Sequence, residues 1–420
     1  MSAPAAAPRS TFRSLKTRNF RLFATGQLVS NTGAWVQRIA QDWLVLSITG
    51  SATAVGITTA LQFLPTLLFG LLGGVIADRY PKRRILLTTQ LGMSSMAASL
   101  AILTLSHHVQ VWHVWLIAFG LGTVVAVDNP TRQSFVNEMV GPEQLRNAVS
   151  INASVFQLGA LIGPAISGLL INAVGSGYAF AVNALSYSAS ITALLRMREA
   201  ELNHAPRTSA KRARIRDGLR YVASRPDTLW PTVLVGVFGL FSANLAVTLA
   251  SYARSVYHSG AGGYGLLTSV VAVGSLSGAL ISAGRARTRL RTLVAIAGSL
   301  ATLYVLASLA PSEWTYCAVM VALGAATLLL YTSANSTVQL AAGDAIRGRV
   351  MSVYLLVFIG AGAIGGPLIG FLDQHLGPRT GMLISGLVPA IATAFVAMKL
   401  ARDTNTRLRP RTVRALLRAA

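Results

Sequence analysis

Gln27, Asn31, Trp35, Arg38 and Asp42 follow one another at spacings of four, four, three and four. That period puts all five side chains on one face of a helix. Most of the surrounding segment, roughly 20–47, is apolar. A carboxylate and a guanidinium one turn apart can pair, which lowers the cost of burying either. A proton taken up by Asp42 would free Arg38, changing the charge and hydrogen bonding of whatever space the face looks into. Two readings stay open. The pair is a proton-coupling device, or it is a structural ion pair near an interface, since Asp42 lies 22 residues past Phe20, about 33 Å along a helix axis.

A second constellation is the stretch Gly73-Gly74-Val75-Ile76-Ala77-Asp78-Arg79-Tyr80-Pro81-Lys82-Arg83-Arg84, with one carboxylate and four cations between two long apolar segments. Charges that dense cannot lie in hydrocarbon, so the stretch belongs at a membrane surface, joining two spanning helices. Asp78, at the end of one helix, could accept hydrogen bonds from the free N–H groups that open another. Simple anchoring of the cations is the plainer reading, but it leaves Asp78 unexplained. A third is Gly159-x-x-x-Gly163-Pro164, followed by Gly168. Small residues four apart let a neighbouring helix come close, and the proline bends the axis.

Polar residues recur inside other apolar runs: Gln62 and Thr66, Asn152 and Gln157, Asn244 and Thr248, Tyr331 and Asn335. Each alone reads as an interhelical hydrogen bond. With Gln27, Asn31, Trp35, Phe238 and Phe241 they suggest a mixed aromatic and polar cavity suited to large amphipathic solutes.

Twelve apolar runs long enough to span a bilayer would carry these groups: roughly 20–47, 52–77, 84–106, 111–131, 148–173, 177–197, 229–254, 262–284, 292–310, 314–337, 350–373 and 379–401. The 420 residues are 53% hydrophobic and 12% charged, about half the charge of a soluble domain. The expected fold is an all-α membrane protein of two six-helix bundles, residues 20–197 and 229–401. The flanking segments are 1–19, a basic linker 198–228, and a basic tail 402–420. The net charge of +23 suggests nucleic acid only until the cations are placed. Of 36 Lys and Arg, Arg254 and Arg379 fall on one side and Arg38 within a span, leaving 33 on the other side. Such asymmetry marks the cytoplasmic side, puts both termini there, and argues against nucleic acid. In the linker, Ile215, Leu219 and Val222 lie among arginines as a short amphipathic helix would place them. It reads equally as a helix on the anionic inner leaflet or as a solvated spacer.

The halves repeat. Gly159-x-x-x-Gly163-Pro164 returns as Gly362-x-x-x-Gly366-Pro367, 203 residues on, and Asn129-x-Thr131-x-Gln133 returns as Asn335-x-Thr337-x-Gln339, 206 residues on. Parallel six-helix repeats fit two bundles related by an axis along the membrane normal.

The Gly73–Arg84 stretch resembles the loop between the second and third helices of major facilitator superfamily transporters, with Pro81 where glycine is usual. Gly159–Gly168 resembles that superfamily's antiporter motif, with Ser167 at one closing glycine. Asp128-Asn129-Pro130-Thr131-Arg132-Gln133 and the run from Gly33 through Trp43-Leu44-Val45-Leu46 to Ala52 resemble the enterobactin-exporter-like and multidrug-efflux-like branch. The resemblance implies a latch made by Gly74, Asp78, Arg79, Lys82, Arg83 and Arg84. Asp78 would meet the start of the eleventh helix around Val350–Val353, while the cations would ring the latch and contact lipid phosphate. The second half keeps only a degraded copy of the loop, Gly284-Arg285-Ala286-Arg287, without an aspartate.

The resemblance also implies proton-driven export of amphipathic small molecules, such as drugs or siderophores, across a bacterial cytoplasmic membrane by alternating access. The fourth helix lacks the mid-membrane arginine that many proton-coupled members carry. The partners expected are substrate, protons and lipid, and the protein is expected to be a monomer. Proton-coupled uptake and a transport-inactive receptor are the rival readings. No enzyme is expected, because no nucleophile, base and orienting group converge. No cofactor or metal is expected either. Gly360–Gly365 imitates a dinucleotide fingerprint but follows no strand, and His107, His108 and His113 have no carboxylate or thiol nearby. Cys317 is the single cysteine.

Overall fold

A computed structural model describes residues 13–203, 215–283 and 288–416, with the side chains at 215–216, 283, 344–345 and 403–416 left aside. The described chain is helical and holds no strand. The degraded loop copy at 284–287, the arginines at 212 and 214, and the side chain at 216 lie outside what is described. In order, the helices are α1 (Arg18–Thr49), α2 (Ala52–Arg79), α3 (Lys82–Leu105), α4 (Val111–Val174), α5 (Ser176–Leu195), α6 (Ile215–Ser224) and α7 (Pro226–Phe241). They continue as α8 (Leu245–Ser251), α9 (Gly260–Ala283), α10 (Leu290–Ser308), α11 (Glu313–Ala341), α12 (Gly343–Leu376) and α13 (Pro378–Leu416).

Ten described helices are long and apolar enough to cross a membrane. One of the ten, α4, turns at Gly141, where φ is 70° and ψ 175°. Only glycine takes that conformation without strain. The turn divides α4 into the spans predicted at 111–131 and 148–173. The remaining predicted span is α1, whose body carries Arg38 and Asp42.

The chain forms two compact units, one of residues 1–211 with 258–269, the other of 212–257 with 270–420. In the first, close packing depends on missing side chains. Gly73 lies against the Ala126 carbonyl, and Gly122 against that of Gln62. At one end a core of Phe20, Phe23, Leu86, Phe135, Met139 and Leu194 closes the bundle.

In the second unit α7 ends at Phe241, and the chain turns through Ser242–Asn244 before α8. Tyr252–Val256 then winds as a π-helix. Such turns carry one extra residue and bend the axis. α6 is docked on this unit. Gly218 abuts the Arg349 carbonyl, Asp217 pairs with Arg349 at 3.3 Å, and the Tyr221 hydroxyl donates to the Ala341 carbonyl at 3.0 Å. Val222 is buried and Leu219 exposed. The amphipathic helix foreseen in the linker therefore exists, but it is packed against protein as well as open to its surroundings.

Candidate functional site

Asp42 is 2% exposed on α1. Its Oδ2 accepts a hydrogen bond from the Tyr264 hydroxyl at 3.0 Å, and the Trp43 ring lies nearly parallel to that of Tyr264, centroids 6.2 Å apart. Among the described residues nothing bonds to Oδ1. The pair predicted from spacing is not closed: no ion pair joins Arg38 to Asp42 among the described residues. The guanidinium lies instead over the rings of Trp35, at 5.5 Å, and Phe63, at 5.4 Å. An i,i+4 spacing permits a salt bridge, but two aromatic faces attract the cation and leave the aspartate to a tyrosine.

The glycine–proline segment of α4 fits against the same face of α1. A Cβ on Gly159 would stand 2.7 Å from Asn31 Nδ2, and one on Gly163 would stand 2.5 Å from Trp35 Cβ. The Ser167 hydroxyl donates to the Val36 carbonyl at 2.9 Å, so serine at the expected glycine adds a bond between the helices. On its other side the segment meets the first turns of α9. A Cβ on Gly168 would come within 3.1 Å of Gly265 Cα, and one on Gly265 within 2.7 Å of the Pro164 carbonyl. Residues 264 and 265 thus touch the carboxylate and the proline-bent helix in succession.

In the charged loop, Asp78 is exposed in the last turn of α2. Gly74 has open space around it, and the close contact belongs to Gly73. Of the cations expected to ring a latch and meet lipid phosphate, two are already engaged within the unit. Lys82 pairs with buried Glu138 at 2.5 Å. Arg83 donates to the carbonyls of Leu194, at 2.8 Å, and Leu195, at 3.0 Å, and pairs with Glu199. Those carbonyls close α5, where the helix dipole favours a cation. Arg79 and Arg84 are exposed.

The cavity candidates split by unit. In the first, Gln27 bonds Ser190 at 3.3 Å, Asn31 bonds the Val155 and Phe156 carbonyls at 3.3 Å, and Trp35 meets the Phe156 ring edge-on at 5.8 Å. Gln62 and Gln157 are half-buried. In the second, Asn244 donates to the Gly362 carbonyl at 2.9 Å, Tyr331 meets Phe358 edge-on at 5.2 Å, and Asn335 accepts from Gln339 at 2.8 Å. Several of these polar groups therefore fasten helices together. His113 is used locally, its Nδ1 accepting from the Gln110 N–H at 3.0 Å to open α4.

The model of the transmembrane secretion effector family matches residues 9–413. The chain belongs to that family. Its relatives place this family chain within the major facilitator superfamily of transporters. One is the multidrug efflux pump Tap of Mycolicibacterium fortuitum, 29% identical over 397 residues, covering 91% of this chain and 95% of that protein. Another is the enterobactin exporter EntS of Citrobacter koseri, 25% identical over 361 residues, covering 82% and 80%. Among solved structures, a bacterial homologue of the human lysosomal transporter Spinster superposes with a TM-score of 0.70 at 17% identity, covering 93% of this chain and 97% of that one. The chain is therefore a multi-pass membrane transporter with the major facilitator fold.

Several contacts carry no mark in the sequence. Tyr264 stands 222 residues from Asp42, and nothing in its surroundings announces an aspartate. Asp128 gathers Thr89 at 2.7 Å, Gln90 at 3.3 Å and Arg132 at 2.9 Å into one buried network. Its spacing of four from Arg132 was the available signal. Asp373, buried near the end of α12, has no polar stripe to announce it.

Proposed function

We propose that this transporter is a proton-driven exporter of amphipathic small molecules, drugs or siderophores among them, in a bacterial cytoplasmic membrane with both termini inside. The observation that carries the reading is the meeting of Asp42, Tyr264 and the glycine–proline segment in one unit. Ionised, Asp42 accepts the Tyr264 hydrogen bond. Protonated, it offers a donor of its own, and the bond to the first turn of α9 changes character. Gly265, next in line, is pressed against Pro164 and Gly168, so the change is delivered to the bent helix. Arg38, held by rings rather than by Asp42, does not compete for the carboxyl. Efflux and siderophore export by relatives that align with most of the chain support the direction and substrate class. Asp78, exposed at the end of α2, remains the proposed latch. The protein works as a monomer and without nucleic acid. Per proton, a potential of 100 mV supplies about 2.3 kcal/mol, adequate for modest gradients.

The test uses inverted membrane vesicles. An acidic vesicle lumen should drive a panel of fluorescent amphipathic solutes into them as protons leave, and Asp42→Asn should abolish that accumulation while leaving solute counterflow. Wild-type vesicles that accumulate nothing would sink the exporter reading. An Asp42→Asn variant that accumulates normally would remove Asp42 from the coupling, and normal transport by Asp78→Asn would remove the latch.

A further inference from the structure

We propose that Asp373 of α12 is a second proton-binding carboxyl, built into the second unit and independent of Asp42. It rests on the proton-driven reading above. Asp373 is 4% exposed, and neither carboxyl oxygen has a hydrogen-bond partner among the described residues. It lies three residues before Leu376, the last residue of α12.

Its surroundings come from four elements. From α8 and the π-helix, the Thr248 hydroxyl lies beside it and Tyr252 faces it. From α11, Tyr316 stacks on Tyr252 with centroids 4.5 Å apart, and Tyr257 completes the aromatic group at 5.8 and 5.6 Å. From α13, Gly381 is so close that any side chain there would strike Asp373 Oδ1. Among the described residues, exposed Arg379 acts on Tyr252 and Tyr257, Glu313 acts on Tyr257, and His375, two residues past Asp373, bonds the Phe371 carbonyl of its own helix at 3.0 Å. The hydroxyls of Tyr252 and Tyr316 are themselves buried without partners among the described residues.

An isolated carboxylate in such a place is costly, and a group of this kind inside a membrane protein marks a proton or ion path. Rings stacked at 4.5 Å, with a glycine backbone on the other side, leave no room for an organic ligand. A proton neutralises the group and adds no volume. On release the Asp373 O–H bond breaks and the proton passes to water at that end of the helix. The carboxylate left behind then draws hydrogen bonds from Thr248 and Tyr252. Tyr252 opens the π-helix, so the exchange pulls on the one irregular turn of that helix, where the extra residue gives it slack.

Infrared difference spectroscopy of the full chain in lipid bilayers, titrated across pH, reads this directly. The wild type should show a buried carboxylic-acid C=O band that disappears in Asp373→Asn and persists in Asp42→Asn. Thr248→Val and Tyr252→Phe, which touch the group without removing it, should shift the band, and they serve if Asp373→Asn does not fold. A band unchanged in Asp373→Asn, or unmoved in both neighbouring variants, overturns the proposal. So does a band that appears only when sodium is withdrawn, which would make the site a metal site. Failure of wild-type vesicles to transport on a proton gradient would sink the exporter reading and leave the band in place, so the two failures are distinguishable.

Discussion

In the first unit Asn31 reaches from α1 to the Val155 and Phe156 carbonyls beside Gly159, and in the second Asn244 reaches to the Gly362 carbonyl beside Gly365. Both clamps use an amide on one helix to hold the glycine-rich partner. The helices that carry them differ. α1 runs unbroken for 32 residues, whereas the chain around Asn244 leaves the helix at Ser242–Asn244 and winds as a π-helix at Tyr252–Val256. Ser242 Oγ and Asn244 Oδ1 are buried there without partners among the described residues. The same contact therefore fixes a rigid strut in one half and anchors a deformable segment in the other.

The largest effect expected from breaking this contrast lies in the ion pairs. Lys82→Met strands Glu138 in a buried position and should cost about 3–5 kcal/mol. Asp217→Asn removes the exposed partner of Arg349 and should cost roughly 0–1 kcal/mol. Thermal unfolding in detergent reads both, and equal losses would contradict the difference in burial.

The glycines come next. Gly163→Ala drives a methyl into Trp35 and should destabilise by about 1–3 kcal/mol and cut transport. Nothing lies within 4 Å of a Cβ on Gly362, so Gly362→Ala should be neutral or stabilising, by up to about 1 kcal/mol. A transport defect in Gly362→Ala equal to that in Gly163→Ala would mean that the second motif is packed like the first.

The clamps themselves give the smallest effect. Interhelical hydrogen bonds average about 0.6 kcal/mol. Asn31→Ala should lose about that much in unfolding measurements. Asn244→Ala should lose less, because it also removes an unpartnered buried oxygen, but it should alter transport rates more.

The spans were legible because length and apolarity are properties of contiguous sequence. So was the glycine–proline packing, since small residues four apart have few other uses in a spanning helix. Arg38 shows the limit. Its spacing from Asp42 permits a pair, yet its guanidinium lies over Trp35 and Phe63, and Phe63 belongs to another helix. Tyr264 and Asp373 were illegible for a related reason. Each acquires meaning only from residues that tertiary packing brings up, and Tyr264 is one of 11 tyrosines. The linker helix is visible as a pattern of Ile215, Leu219 and Val222, but nothing in that pattern marks Gly218 as the position that lets it approach Arg349.

That docking says where the chain can be divided. Residues 198–228 look like one spacer, yet α6 is tied by Asp217, Gly218 and Tyr221 to α11 and α12. A fragment that begins at α7 would lose part of its own wall, whereas one that begins just before Ile215 keeps it. Tags, reporters and split-gene junctions placed before α6 leave the second half whole, and the same junctions placed after it do not.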